Sequence, residues 1–307
     1  MFVLFPSAVR GHGDALVARD GLWEQWNVDP LILLSILVTG WLYLRGLGAL
    51  WRRAGIGRGI RVWQAAAFSG GLLTLVVALV SPVDKLGGTL FAAHMGQHLL
   101  LMLVAAPLLV LGAPIAPMLW SLPQPWRLSL AELSRRPFTR TTARWLSRPA
   151  SAIVLHSAVI WLWHVPVLYE AAIRSSSIHA IEHVSFLGTA LLFWWVIAHA
   201  GVRRGSGHGV AVLGVFALAM QGTALGALLT FSSAAWFPIH AEGATAWGLS
   251  ALEDQQLAGL IMWIPSGMIY LGAALLLIGN WLAAMDRRSA EGKSPALPFE
   301  QNVRATP

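Results

Sequence analysis

TLFAAHMGQHLLLMLVAAPLLVL, residues 89–111, runs for 23 residues without an Asp, Glu, Lys or Arg. Crossing the hydrocarbon core of a bilayer takes about 20 apolar residues in helical form, so this stretch reads as a transmembrane helix. Its histidines make it unusual. His94 and His98 lie four residues apart, which places both imidazoles on one helix face, about one turn from each other. Ionisable groups inside a span are costly, and they mark function more often than packing.

Working outward, six further apolar stretches approach or exceed the same length, at roughly 30–51, 62–81, 150–170, 179–200, 209–231 and 257–281. The 307-residue chain is 56% hydrophobic and only 11% charged, with a mean hydropathy of +0.64. Soluble domains average about 25% charged residues. The expected fold is therefore all-α: a polytopic membrane protein of seven transmembrane helices. No cysteine is present, which excludes disulfides, thiolate ligands and thiol redox chemistry and leaves His, Met, Asp and Glu as metal ligands. A net charge of +7 would suggest nucleic acid in a soluble protein. In this composition it reads as basic loops beside anionic lipid, with no nucleic-acid partner. The opening MFVLFPSAVRGHGD has no basic region ahead of an apolar run, so no cleavable signal peptide is expected.

Lys and Arg alternate between the loops. Arg52, Arg53, Arg58 and Arg61 fill the first, Arg127, Arg135, Arg136, Arg140, Arg144 and Arg148 the third, and Arg203 and Arg204 the fifth. The tail opens with Arg287 and Arg288. The second loop has Lys85, the fourth Arg174, and the sixth, around 232–256, no basic residue. The positive-inside rule then puts the N-terminus outside and the C-terminus in the cytoplasm. The expected organisation is an extracytoplasmic segment 1–29, a single membrane domain 30–285 and a disordered, polar cytoplasmic tail 286–307. PWRLSLAELSRR (125–136) suits an interfacial helix on the cytoplasmic surface. Trp236, Phe237, Pro238, His240 and Trp247 suit a partly embedded lid on the other side.

In this orientation the polar residues gather at the outer end. His94 and His98 lie in the outer half of the third span, and His164 ends the fourth. HAIEH opens the fifth with His179, Glu182 and His183. His240 sits in the sixth loop, and Asp254 starts the seventh span with Met262 about 12 Å deeper on the same face. Three helices thus present His at one depth, as helix-bundle metal sites do. Imidazole is the commonest metal ligand. A lone membrane histidine also caps helices or bonds a carbonyl, which is the reading for His12, His199 and His208 and, by packing, for the deeper His156. For His240 ligand and packing roles both stand, and Asp254 is either part of the site or a helix cap. HAIEH matches the H-x-x-E-H pattern, in which two His bind zinc and Glu acts as general base; Glu182 serves equally as a hydrogen-bond partner that orients a ligating imidazole.

HMGQHLLLMLVAAPLLVLGAP (94–114), WLWHVP (161–166), HAIEHVSFLGTALLFWW (179–195) and DQQLAGLIMWIPSGMIY (254–270) together resemble the CtaG-type cytochrome c oxidase assembly factors of bacteria. The resemblance spans roughly residues 30–285. It implies a seven-span protein of the bacterial plasma membrane that helps deliver copper to the copper-B centre of a haem–copper oxidase, with no substrate turnover. It picks out His94, His98, His164, His179, His183 and Asp254; His240 and Met262 join them from their location alone. The cargo implied is copper, as Cu(I), with zinc as the alternative. The partners implied are the catalytic subunit of the oxidase and, upstream, a periplasmic copper donor. Two other functions remain: a haem-binding electron-transfer protein with axial His ligands, and an intramembrane metallohydrolase built on HAIEH. A proton or ion transporter fits less well, for want of acids in the middle of the membrane.

Overall fold

The computed structural model describes residues 19–199 and 207–292, and every regular element among them is helical. The chain is a multi-pass membrane protein. Six helices are long and apolar enough to cross a bilayer, and a bent pair raises the number to seven.

The first, α1 (Pro30–Ala54), starts at Asp29, whose Oδ1 accepts the amides of Leu31 (2.8 Å) and Ile32 (3.3 Å). Proline at the first helical position gives up an N–H that would have had no partner. α2 (Val62–Leu79) leads into a short amphipathic helix, α3 (Pro82–Thr89). The third span is α4 (Phe91–Leu99), a π-helical stretch from Leu100 to Ala105, and α5 (Ala106–Leu111). The widened turn has a definite hydrogen-bond consequence. Ala106 N–H bonds Leu101 O, five residues back, so Met102 O loses its α-helical donor. The Trp194 indole supplies a replacement at 2.9 Å. Such π-segments recur beside functional sites, and this one begins two residues after His98.

Between the third and fourth spans lie α6 (Ile115–Ser121), α7 (Gln124–Arg135) and α8 (Pro137–Leu146). α7 and α8 bury no residue, in keeping with the interfacial position expected of 125–136. The fourth span is not the continuous helix expected over 150–170. α9 (Pro149–Trp163) stops, His164 and Val165 leave the helix, and α10 (Pro166–Arg174) departs at 75°. Pro166 is the cause: it lacks an N–H and its ring crowds the preceding turn.

α11 (Ser176–Ala198) and α12 (Gly207–Thr230) follow, then a 3-10 turn at Pro238–His240, α13 (Ala241–Ala246) and α14 (Ala251–Gly292). The last helix thus continues past residue 285, where the tail was expected to begin. Residues 293–307, like most of the 1–29 segment, lie outside those described. α12 and α14 form the most extensive helix pair. They meet at glycine: a Cβ on Gly259 would sit 2.6 Å from Gly226 O and 2.4 Å from Thr230 Oγ1. Small residues let membrane helices approach this closely.

The ends of the bundle differ. The starts of α4, α11 and α14, the end of α9, and the 238–246 segment share one end. The connection between α1 and α2, with Arg58 and Arg61, and the Arg-bearing α7 and α8 share the other.

Candidate metal centre

Two helices build the centre. α4 offers His94 and His98, and α11 offers His179, Glu182 and His183, each set one turn apart on an inward face. α11 starts at Ser175, whose Oγ accepts the Ile178 amide at 3.5 Å. α4 has no such residue of its own, because Leu90 precedes it. The Asp254 carboxylate of α14 takes that place from across the bundle, accepting Phe91 N–H at 2.7 Å and Ala92 N–H at 3.0 Å. Amides in a first helical turn lack intrahelical partners, and a carboxylate there also meets the positive end of the helix dipole. Asp254 therefore sets where the His94 helix begins. The cap role weighed for it is the one seen, although the helix capped is α4 rather than α14.

The four imidazoles form a closed circuit. Ring centroids are 4.3 Å apart for His94–His98, 5.3 Å for His98–His183, 4.1 Å for His183–His179 and 5.3 Å for His179–His94, with 6.3 Å across His94–His183. Glu182 stands among them, fully buried. Its Oε2 lies 3.7 Å from His94 Nε2 and 4.0 Å from His179 Nε2, and its Oε1 lies 3.8 Å from His98 Nε2. Neither oxygen has a hydrogen-bond partner, nor does either ring nitrogen of His98. Buried polar atoms are almost always bonded, and a buried charge needs a partner or a metal. Two groups with metal-ligand spacing result, His94–His98–Glu182 and His179–Glu182–His183, and Glu182 belongs to both.

The other expected residues take different places. His164 lies in neither group but interacts electrostatically with His94 and His98. Its Nδ1 donates to Ile160 O at 2.7 Å, so Nε2 holds the lone pair, buried and without a partner. His240 is buried above the ring, where Tyr169 Oη meets its Nε2 at 2.7 Å and its Nδ1 faces Thr89 O at 3.3 Å. Burial, and then the neighbouring His94, push that imidazole well below its ordinary range, so it is neutral. It donates to Thr89 and accepts from the tyrosine hydroxyl. Met262 is buried in the apolar core. His156 bonds Thr189 Oγ1 at 2.9 Å and stacks on Phe193, which is a packing position. His199, exposed, bonds Trp195 O. His12 and the His208 side chain lie outside the described residues.

Sequence reasoning missed four polar residues here. Tyr169 is completely buried, with its ring 5.1 Å from that of His94. Gln97, also on α4, donates to Asp84 Oδ1 at 2.9 Å and to Ala78 O at 2.8 Å, and Asn27 closes the set on Asp84 Oδ2 at 2.8 Å. This bracing locks the face of α4 flanking the two histidines. A lone acid in a loop and a glutamine between two histidines carry no periodic signal, so neither stood out.

A family model described as "Cytochrome c oxidase caa3 assembly factor (Caa3_CtaG)" matches residues 41–284. The chain belongs to this family of oxidase assembly factors. As a Caa3_CtaG member it places all four histidines of the circuit, and Glu182, within the matched region. Similar proteins include the uncharacterized protein Mb0105 of Mycobacterium bovis and MT0111 of Mycobacterium tuberculosis, each 30% identical over 277 residues. The uncharacterized protein ML1998 of Mycobacterium leprae is 27% identical over 281 residues. Each alignment covers 86% of this chain but 40% of the relative, so the chain spans well under half the length of the curated proteins it matches. No solved structure matches it.

Proposed function

We propose that this assembly factor holds copper within the His94–His98–His183–His179 circuit and passes it to the nascent catalytic subunit of a haem–copper oxidase as the copper-B centre forms. The observation that carries the reading is the buried circuit itself. Half of its 6.3 Å diagonal, about 3.2 Å, matches a metal–nitrogen bond of roughly 2.0 Å plus the radius of an imidazole ring. Imidazole ligands suit copper. Glu182 offsets the ion's charge inside the bundle. Exchangeable nitrogen ligands allow the ion to move on, so the role requires transfer and no turnover. By the Arg-rich loops, the histidine end faces outward from the bacterial plasma membrane, with the N-terminus outside and the C-terminus inside. That is the side on which a periplasmic donor would meet it.

The other two readings fit the geometry less well. A haem held across the His94–His183 diagonal needs the plane that His98 and His179 occupy. A hydrolase needs Glu182 beside an open metal position and a path for substrate. Instead, Glu182 sits 3.7–4.0 Å from three imidazoles at once, under a closed roof.

The test is copper stoichiometry in the purified protein, wild type against His94→Ala/His98→Ala and His179→Ala/His183→Ala. The wild type should hold copper, and each double variant should lose most of it. Full stoichiometry and affinity in both double variants would make the circuit structural. In cells lacking the protein, the oxidase polypeptide should still insert but be deficient in copper-B.

A further inference from the structure

The circuit is covered on the His94 side, while His183, across the diagonal, is only partly buried. His94 and Glu182 are 0% exposed, and the residues above them, Phe91, Tyr169, Phe237 and His240, are at most 3% exposed. An ion that is to be delivered must leave, so part of this roof must move. The α4 wall does not qualify, because it is pinned by Asp254 and by the Gln97–Asp84 bracing. The roof is built differently. It is the connection from Trp236 to Ala246, which contains only a 3-10 turn and a six-residue helix.

What holds this roof is specific: at its start Trp236 N–H donates to Gln255 Oε1 of α14 at 2.6 Å. Phe237 stacks on Phe91 with centroids 4.5 Å apart and meets Tyr169 at 4.7 Å. His240 bridges Tyr169 Oη and Thr89 O. Behind it, Gly243 lies so close to α3 that a Cβ there would stand 2.2 Å from Thr89 O. Tyr169 touches both layers, His94 by its ring edge and His240 by its hydroxyl. The hydroxyl also covers the Nε2 lone pair, the atom with which a neutral His240 would ligate a metal.

We propose that the 236–246 segment is the door of the metal centre, that Tyr169 is its latch, and that His240 is the ligand that accompanies the ion through it. With the latch closed, His240 Nε2 is committed to Tyr169 and the roof covers His94 and Glu182. Breaking that one hydrogen bond frees the His240 Nε2 lone pair beside Tyr169, whose ring also meets His94, while the roof lifts. His240 then offers the ion a further imidazole on the way out, so the ion is never stripped of nitrogen ligands at once. Tyr169 acts here as a positioning residue, through His240.

The proposal rests on metal binding by the circuit, and its test separates the two. The full-length protein, purified in detergent, is loaded with Cu(I) and mixed with excess bathocuproine disulfonate, and release is followed by absorbance. Tyr169→Phe removes the latch and Gly243→Ala wedges the door off Thr89. Both should keep wild-type copper stoichiometry and release copper at least tenfold faster. Adding His240→Ala to Tyr169→Phe should slow release again by tenfold. Release at the wild-type rate in both single variants would overturn the door, and an unchanged rate on adding His240→Ala would overturn the accompanying ligand. Without copper, diethylpyrocarbonate labelling of His94 and His98, read by mass spectrometry, should rise at least fivefold in Tyr169→Phe and Gly243→Ala, both checked for monodispersity. Unchanged labelling refutes the door even if the wild type binds no copper, an outcome that by itself would defeat only the metal reading.

Discussion

Replacing Asp254 separates a cap from a ligand. Its carboxylate accepts two amide N–H groups at 2.7 and 3.0 Å, at a position 0% exposed. A hydrogen bond to a charged group contributes about 1.5–3 kcal/mol, and a buried donor left without its partner costs a similar amount. Asp254→Ala strips both amides of their acceptor, so it should destabilise the protein by about 3–6 kcal/mol, toward the lower end where water reaches the vacated site. Asn is as good a helix cap as Asp and keeps one acceptor oxygen. Asp254→Asn should therefore cost about 1.5–3 kcal/mol, the value of one lost charge-assisted bond. Because Phe91 and Ala92 open the turn that carries His94, the Ala variant should also bind copper more weakly, whereas the Asn variant should bind it nearly as the wild type does. Stability is read from unfolding in denaturing detergent by circular dichroism, and affinity from competition with a Cu(I) chelator. Asp254→Ala within about 0.5 kcal/mol of wild type, the scale of an ordinary surface change, would refute the cap. Asp254→Asn that loses copper at unchanged stability would make Asp254 a ligand after all.

Glu182→Gln keeps the shape of the side chain and removes the charge that faces three imidazole nitrogens. Copper affinity should fall by about 10–100-fold, as for other partners of ligating histidines, with the apoprotein at least as stable because no carboxylate is buried; equal affinity would remove Glu182 from the site. The proposed orientation places exposed Ala246 and exposed Ala143 on opposite sides of the membrane. In this cysteine-free chain, Ala246→Cys should react with an impermeant thiol reagent in intact cells and Ala143→Cys should not; the reverse pattern would turn the metal centre toward the cytoplasm.

Composition and period alone made the helical membrane fold legible. Spans depend on length and polarity, and both are local. The pairing of His94 with His98 and of His179 with His183 was legible for the same reason, since residues four apart share a helix face whatever surrounds the helix. The alternating loops then brought both pairs to one end. The break at His164 had its signal in Pro166, but a run of apolar residues on both sides outweighed it. What no local pattern carries is which face meets which. Asp254 reaches amides 162 and 163 residues away. Tyr169 finds His240 across 71 residues, and Trp194 finds Met102 across 92. Glu182 reads in sequence as a neighbour of ligands and stands in the structure within 4.0 Å of three imidazoles from two helices. These contacts exist only once the helices dock, because docking decides which buried polar group must satisfy which.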